Sequence, residues 1–263
     1  MAEPLPLPLD VRLMNATASL LFALAAVGAV AAAVGWALRH PVFAIQAIVV
    51  QGDLVHNNDV TLRANVAPRL SGNLFTVDLR AARAAFEAVP WVRRAVLWRD
   101  FPNRLRVSLQ EHEAVAYWGA DSQSRLVNRQ GEVFEANEGD VETDSLPRLI
   151  GPDAQSAAVL DMLRVLQPLF GRLDLEPVEL ELSVRGGWRV DLDSGARIEL
   201  GRGNAEEVAA RVKRFVETVT QVTARHERRV EAIESADLRH PGGYALRLRG
   251  VTTAVQSPAG KKP

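Results

Sequence analysis

The chain has 263 residues, 48% of them hydrophobic and 24% charged, with a formal net charge of -1. That balance excludes a polybasic nucleic-acid-binding surface and a strongly acidic chain, while the apolar fraction is enough to fill about one to three domain cores. There is no cysteine, which removes disulfides, thiol catalysis and cysteine-ligated metal from its chemistry.

The first informative segment lies near the start. No residue between Arg12 and Arg39 carries a charge, and the run Thr17–Leu38 is mostly Ala, Leu and Val. A helix through that run reaches about 33 Å at about 1.5 Å per residue, matching a bilayer hydrocarbon core of about 30 Å. It has no polar face, Trp36 fits an interfacial anchor near its exit, and Pro41 stops it. A cleaved signal peptide has an apolar region of about 7–15 residues behind a basic head. Here the run is longer and the head sets Arg12 against Glu3 and Asp10. The pattern therefore favours an uncleaved transmembrane helix over 16–38 after a short segment 1–15. Charge is nearly balanced across the helix, so the positive-inside rule does not orient it.

Residues 41–113 read as strand, helix, helix, strand, strand. Phe43–Val50 alternates in part and ends at Gly52, a turn signal. Asn57 and Asn58 are placed to cap a short helix that runs to about Ala67 and is stopped by Pro68. Asp78 is placed to cap a second helix, with Leu79, Ala82, Phe86 and Val89 on one stripe before Pro90. Trp91–Trp98 predicts a strand with Val92, Val96 and Trp98 available for burial. After the Pro102–Asn103 turn, Leu105, Val107 and Leu109 alternate against Arg104, Arg106 and Ser108, completing a hairpin.

Residues 114–250 form a larger, strand-rich region. Tyr117–Trp118 predicts a short strand, and Arg125–Asn128 with Val133–Glu135 flank a Gly131 turn. The acidic stretch Glu138–Ser145 reads as a surface loop. A helix follows, with Val159, Met162, Leu163, Leu166, Leu169 and Phe170 on one stripe and Gly171 closing it. Then come three strands: Val178, Leu180, Leu182 and Val184 on one face, Trp188, Val190 and Leu192 after Gly186–Gly187, and Ala196–Leu200 after Asp193–Ser194–Gly195. Asn204 with Glu207 resembles a capping box opening a long helix with the stripe Val208, Val212, Phe215, Val219 and Val222. Strands near Val230–Glu234 and at Tyr244–Arg249 close the region. The small, polar tail 251–263 is expected to be disordered.

Chemistry is sparse. The five histidines have no metal-ligand spacing to one another, and Glu111–His112–Glu113 lies at a strand end where neighbours face opposite ways. Leu200–Gly201–Arg202–Gly203–Asn204 lacks the Lys-Ser/Thr of a nucleotide loop and the third glycine of a dinucleotide turn; a capped helix start explains it better. Asp191 and Asp193 fit ordinary turn chemistry. No Gly-x-Ser-x-Gly elbow occurs. The expectation is a binding protein with no catalytic, cofactor or metal site.

The order of features resembles the cell division protein FtsQ/DivIB family over nearly the whole chain. The residues that carry the resemblance are Val89–Pro90–Trp91–Val92, Asp100–Phe101–Pro102–Asn103–Arg104–Leu105, and Glu113–Ala114–Val115–Ala116 with Trp118. Leu146–Pro147 and Gly151–Pro152 add to it. Leu200–Gly201–Arg202–Gly203 leading to Arg211, Arg214–Phe215–Val216, and Ala236–Asp237–Leu238–Arg239 are the most specific.

The resemblance implies an α+β chain: one transmembrane helix, a POTRA-like β-α-α-β-β domain and a larger mixed β domain with two helices. It implies a bitopic inner-membrane protein with a cytoplasmic N-terminus and periplasmic domains, acting at the division septum by binding FtsB and FtsL. It further implies strand addition at the last strand, which places the contact on Arg239, His240, Tyr244, Ala245, Leu246, Arg247, Leu248 and Arg249, with Arg202 nearby. An exposed strand edge offers unpaired backbone groups that a partner strand can satisfy. Two positions depart from the pattern. His240 stands where some relatives carry an aromatic, and Leu248 stands where a tryptophan is found. Two other classes make different demands on the sequence. An envelope hydrolase requires converging nucleophile, base or metal ligands, and none is visible. A POTRA-containing transport component requires a following series of alternating membrane strands, which the sequence to Pro263 does not contain.

Overall fold

The computed structural model describes residues 8–52, 54–57, 59–70, 72–120, 124–136 and 146–251. The whole of the expected acidic loop Glu138–Ser145, and all of the expected disordered tail but its first residue, lie outside them. The chain divides into two compact units, Met1–Glu111 and His112–Pro263.

The first unit begins with helix α1, Leu9–Leu38, which starts earlier than the apolar run and buries none of its residues. Its 30 residues span about 45 Å, longer than a bilayer's hydrocarbon core of about 30 Å, so its ends reach the interfacial layers. The expected strand at Phe43 is displaced. Pro41 opens a 3-10 turn over Pro41–Phe43, and β1 covers only Ala47–Gln51. Helix α2 (Asp59–Val66) runs into another 3-10 turn, and helix α3 (Leu79–Glu87) starts where the Asp78 carboxylate accepts the amides of Arg80 and Ala81 at 2.8 and 3.2 Å.

Strands β2 (Val92–Asp100) and β3 (Arg104–Glu111) form the hairpin, and the sheet order is β1-β3-β2 with β1 parallel to β3. Leu105, Val107 and Leu109 fill the core with Leu62, Val66 and Phe86. Val96 and Trp98 do not join them; both are exposed. The ladder slips by one residue between Val92 and Arg94. That bulge changes the face of everything after it, so Ala95 and Leu97 point inward instead.

The second unit is one nine-stranded sheet covered by two helices. Its strands are β4 (Ala114–Trp118), β5 (Arg125–Asn128), β6 (Val133–Glu135), β7 (Arg148–Ile150), β8 (Pro177–Leu182), β9 (Gly187–Leu192), β10 (Arg197–Arg202), β11 (Ile233–Asp237) and β12 (Ala245–Leu248). Their spatial order is β12-β11-β10-β9-β8-β7-β4-β5-β6. Helices α4 (Ser156–Phe170) and α5 (Ala205–Ala224) pack on each other and on the sheet. Leu163, Leu166, Phe170, Val212, Phe215 and Val219 from the predicted stripes meet Leu180, Val190 and Ile198 in one core.

Three expectations shift. Val178 is exposed because a bulge between Pro177 and Glu179 puts Pro177 inward, and Val184 is 95% exposed because β8 ends at Leu182 and Val184 lies in the turn that follows. On α5 the buried positions include Val216 and Thr223, with Val222 only half-buried. The strand expected near Val230–Glu234 begins at Ile233, since Val230–Ala232 forms a 3-10 turn.

Candidate functional site

Strand β12 stands at one end of the nine-stranded sheet, and among the described residues it pairs with β11 alone. Which of its backbone groups close that pairing follows from two hydrogen bonds. The Leu238 amide donates to the Glu199 carbonyl at 2.8 Å, so even-numbered residues at this end of β11 turn their backbone groups toward β10. Ser235 and Asp237 therefore turn theirs toward β12, where they face Arg247 and Ala245. Beyond a bulge, the Arg249 amide donates to the Ala232 carbonyl at 2.8 Å, which fixes the same parity on the partner strand. The N–H and C=O of Leu246 and the N–H of Leu248 consequently point away from the sheet. The Leu248 carbonyl accepts from Val251 at 3.3 Å and is already used.

The side chains divide as the alternation predicts. Leu248 is buried, and Tyr244 and Leu246 are half-buried against the core. The Tyr244 ring meets Phe215 edge-on with centroids 5.0 Å apart, and its hydroxyl lies 3.0 Å from that of Thr218. Arg214 donates to the Pro241 carbonyl at 2.8 Å, tying the turn before β12 to α5. Ala245 and Arg247 face outward, with Arg247 3.0 Å from Glu234. Arg249 turns back instead: its guanidinium donates to the Ser194 carbonyl at 2.8 Å. Its side chain is committed to its own unit rather than to the open edge.

Arg202 and Arg239 come together in a shallow depression at the end of β10, lined also by Arg185, Trp188, Glu199 and Arg211. Arg239 makes a bidentate pair with Asp237, its Nε at 2.8 and 3.0 Å from the two oxygens. That side-chain bond to Arg239 is the main reason the Asp237 carboxyl is held down to about 2, and the same bond raises the Arg239 guanidinium. His240 is exposed and adds a weaker favourable charge interaction with Asp237. The resemblance points to Arg202 and Arg239; Arg185 and Trp188 join them only because β9 and its turn lie beside β10.

The glycines of this turn have local reasons. Gly201 has φ +81°, and a Cβ there would come within 3.0 Å of the Arg239 side chain. Gly203 has φ +135°, with Glu207 occupying the space a Cβ would need. Glu207 and Asn204 complete a reciprocal cap on α5, each accepting the other's backbone amide at 3.2 and 2.9 Å. The Asn204 amide serves the helix cap, and Arg211 of the same helix donates to the carbonyls of Leu200 and Arg202.

A different polar centre occurs in the first unit. The Glu111 side chain, only 7% exposed, accepts the backbone amides of Val55, His56 and Asn57, each at 3.0 Å, and the Asn57 side chain at 2.9 Å. Partial burial acts to raise this carboxyl, but those donors outweigh it and hold it below the usual glutamate range. His56 stacks on Trp91 with ring centroids 3.7 Å apart. This is a loop clamp, and among the described residues no group of three or more His, Asp or Glu side chains gathers as a metal site.

Residues 116–239 match the family model described as cell division protein FtsQ/DivIB, C-terminal, and residues 43–112 match the POTRA domain, FtsQ-type. Three relatives bear the name cell division protein FtsQ. The protein from Burkholderia pseudomallei is 40% identical, over 96% of this chain and 99% of its own length. That from Thiomonas arsenitoxydans is 39% identical over 98% of each chain, and that from Bordetella pertussis 35% identical over 97% of each. The first unit is thus a membrane helix followed by a POTRA domain, and the second is the family's β domain.

Proposed function

Because the chain belongs to the FtsQ/DivIB family of cell division proteins, we propose that it is a non-catalytic scaffold of the division machinery, held by α1 in the inner membrane. In this reading the N-terminus is cytoplasmic, the POTRA and β domains are periplasmic, and the protein works at the septum. Its partners are the bitopic division proteins FtsB and FtsL. An extended segment of FtsB adds to β12 as a further strand.

The observation that carries the reading is the open side of β12, where Leu246 presents both its backbone groups away from β11. Backbone pairing there gives affinity without demanding particular side chains. It thus accommodates His240 and Leu248 at positions where aromatic anchors occur in relatives. Arg202 and Arg239, at the adjoining end of β10 and β11, are placed to receive acidic side chains that flank the added strand.

The test is co-purification of FtsB and FtsL with full-length Leu246→Pro. The variant is expected to lose FtsB while its β domain unfolds at nearly the parental temperature. Undiminished capture would exclude strand addition at β12. Fluorescent fusions should gather at midcell, and a uniform envelope signal would count against the septal assignment.

A further inference from the structure

The end of the POTRA domain nearest the membrane helix carries an exposed aromatic surface. Phe43 lies five residues beyond the last residue of α1. Its ring meets Phe75 edge-on at 4.9 Å between centroids and Phe101 at 5.8 Å. Phe75 is 42% exposed and Phe101 66% exposed, and Val42 beside them is half exposed. A soluble domain has no need to hold three phenylalanines together at its surface, and a patch of this kind marks an interaction site.

Topology fixes where the patch lies. β1 starts after the short segment 39–46 that follows the membrane helix and runs parallel to β3, with Ala47 opposite Arg104. The β2–β3 turn that carries Phe101 therefore sits beside the start of β1, at the end of the sheet from which the chain leaves the bilayer. The Gln46 amide donates to the Asn103 carbonyl at 2.9 Å, and the Asn103 side chain donates back to Gln46 at 3.0 Å. The loop carrying Phe75 is fastened to the same place. Leu74 donates to the Phe43 carbonyl at 2.8 Å, the Asn73 side chain donates to the carbonyl of Leu38, and Arg99 donates to the carbonyls of Leu74 and Val77 at 2.6 and 3.0 Å. The five residues from Leu38 to Phe43 reach at most about 18 Å even when fully extended. A 3-10 turn over Pro41–Phe43 shortens that further. Trp36, in the last turn of α1, stacks edge-on against His40 at 5.4 Å and marks the headgroup level.

We infer that Phe75 and Phe101, with Val42, rest in the headgroup layer of the bilayer that α1 crosses, so that the POTRA domain docks on the lipid surface through two loop tips. The occupant is the membrane itself, because the patch is continuous with a helix already embedded there. Exposed apolar side chains such as Phe gain by inserting at the boundary between headgroups and acyl chains. Two loop contacts beside the helix exit would limit the domain's swivelling about residues 39–46. The inference rests on α1 as a membrane anchor and not on any division partner.

The absence of native cysteine makes a direct depth measurement possible. Single cysteines replace Val42, Phe75, Phe101 or Val55 in the full-length chain, each labelled with an environment-sensitive fluorophore and reconstituted in phosphatidylethanolamine–phosphatidylglycerol vesicles. Val55 is exposed and its amide bonds to Glu111, at the far end of β3 from Arg104, so it serves as the aqueous control. Val42→Cys leaves all three rings in place and guards against misfolding of the Phe variants. Nitroxide lipids spin-labelled at the headgroup are expected to cause a loss of emission at positions 42, 75 and 101 and none at 55. Loss of emission at Val42→Cys alone, with 75 and 101 behaving like 55 in folded protein, would overturn the proposal. Shielding of 75 and 101 that appears only after another protein is added would overturn it too, and would assign the patch to that protein.

Discussion

Leu246 lies opposite Ala236 in the β11–β12 ladder, at a pair where neither residue donates its amide to the other. The Ala236 backbone is turned to β10 and the Leu246 backbone to the open side. A proline at Leu246 removes a donor the folded chain does not use, whereas a proline one residue later removes a donor that closes the ladder. Arg247→Pro should destabilise the β domain by about 1–3 kcal/mol more than Leu246→Pro, the cost of leaving a strand acceptor unpaired. Urea unfolding of the two variants measures the difference, and equal midpoints would contradict the assigned parity.

The Asp237–Arg239 pair predicts an acid-sensitive turn before β12. The folded carboxyl sits at about 2 against an ordinary 3.8. A depressed carboxyl contributes stability that is fully present above its unfolded pKa and is lost as pH falls through the folded one. The β domain should therefore lose stability from about pH 4 down to about pH 2. Asp237→Asn should flatten that part of the profile, as read by thermal unfolding across the range.

Glu111→Gln should weaken the POTRA domain by about 1–3 kcal/mol, because one neutral amide oxygen cannot replace two charged oxygens facing four donors. The local effect should be faster hydrogen exchange at the Val55, His56 and Asn57 amides. The folded carboxyl lies below its usual range, so the parental clamp holds above that range and loosens as pH drops beneath it. Unchanged exchange in the variant would show that the loop is held by other contacts.

Asn204→Ala should cost the β domain about 1 kcal/mol by opening one half of the capping box on α5. Asn204→Asp should retain most of the stability, since it keeps the acceptor and adds charge favourable to the helix start. Chemical denaturation of the three proteins gives the order.

The features that could be read from the chain are those set by near neighbours. The Asp78 and Asn204 caps, the Leu105–Val107–Leu109 face and the Trp188–Val190–Leu192 face depend on residues within a few positions, so spacing reveals them. The faces of Val96, Trp98 and Val178 differ from the alternation because the first two follow a single-residue bulge and Val178 lies within one, and an alternating pattern carries no mark of where a strand slips. Glu111 is a sharper instance. Read alone, it was one acid at a polar strand end, yet its donors stand 54 to 56 residues earlier. For the candidate edge, alternation separates Tyr244, Leu246 and Leu248 from Ala245, Arg247 and Arg249, but which backbone groups remain open depends on the order of β10, β11 and β12. No local pattern encodes that order, and it also explains why Arg249, on the outward side by alternation, reaches back to Ser194.

The strand order of the β domain has a consequence for biogenesis. Because β12 is the outermost strand at its end and follows β7–β11 and both helices in the chain, the open edge is the last part of the domain to come into being. Until it arrives, β11 is the exposed rim, and a segment annealing antiparallel to β11 would run with the polarity of β12 and take its place. A nascent or clipped chain thus offers a landing strip of reversed direction. Completion of the fold and completion of the proposed recruiting edge are therefore a single event, and an unfinished chain presents a different strand in its place.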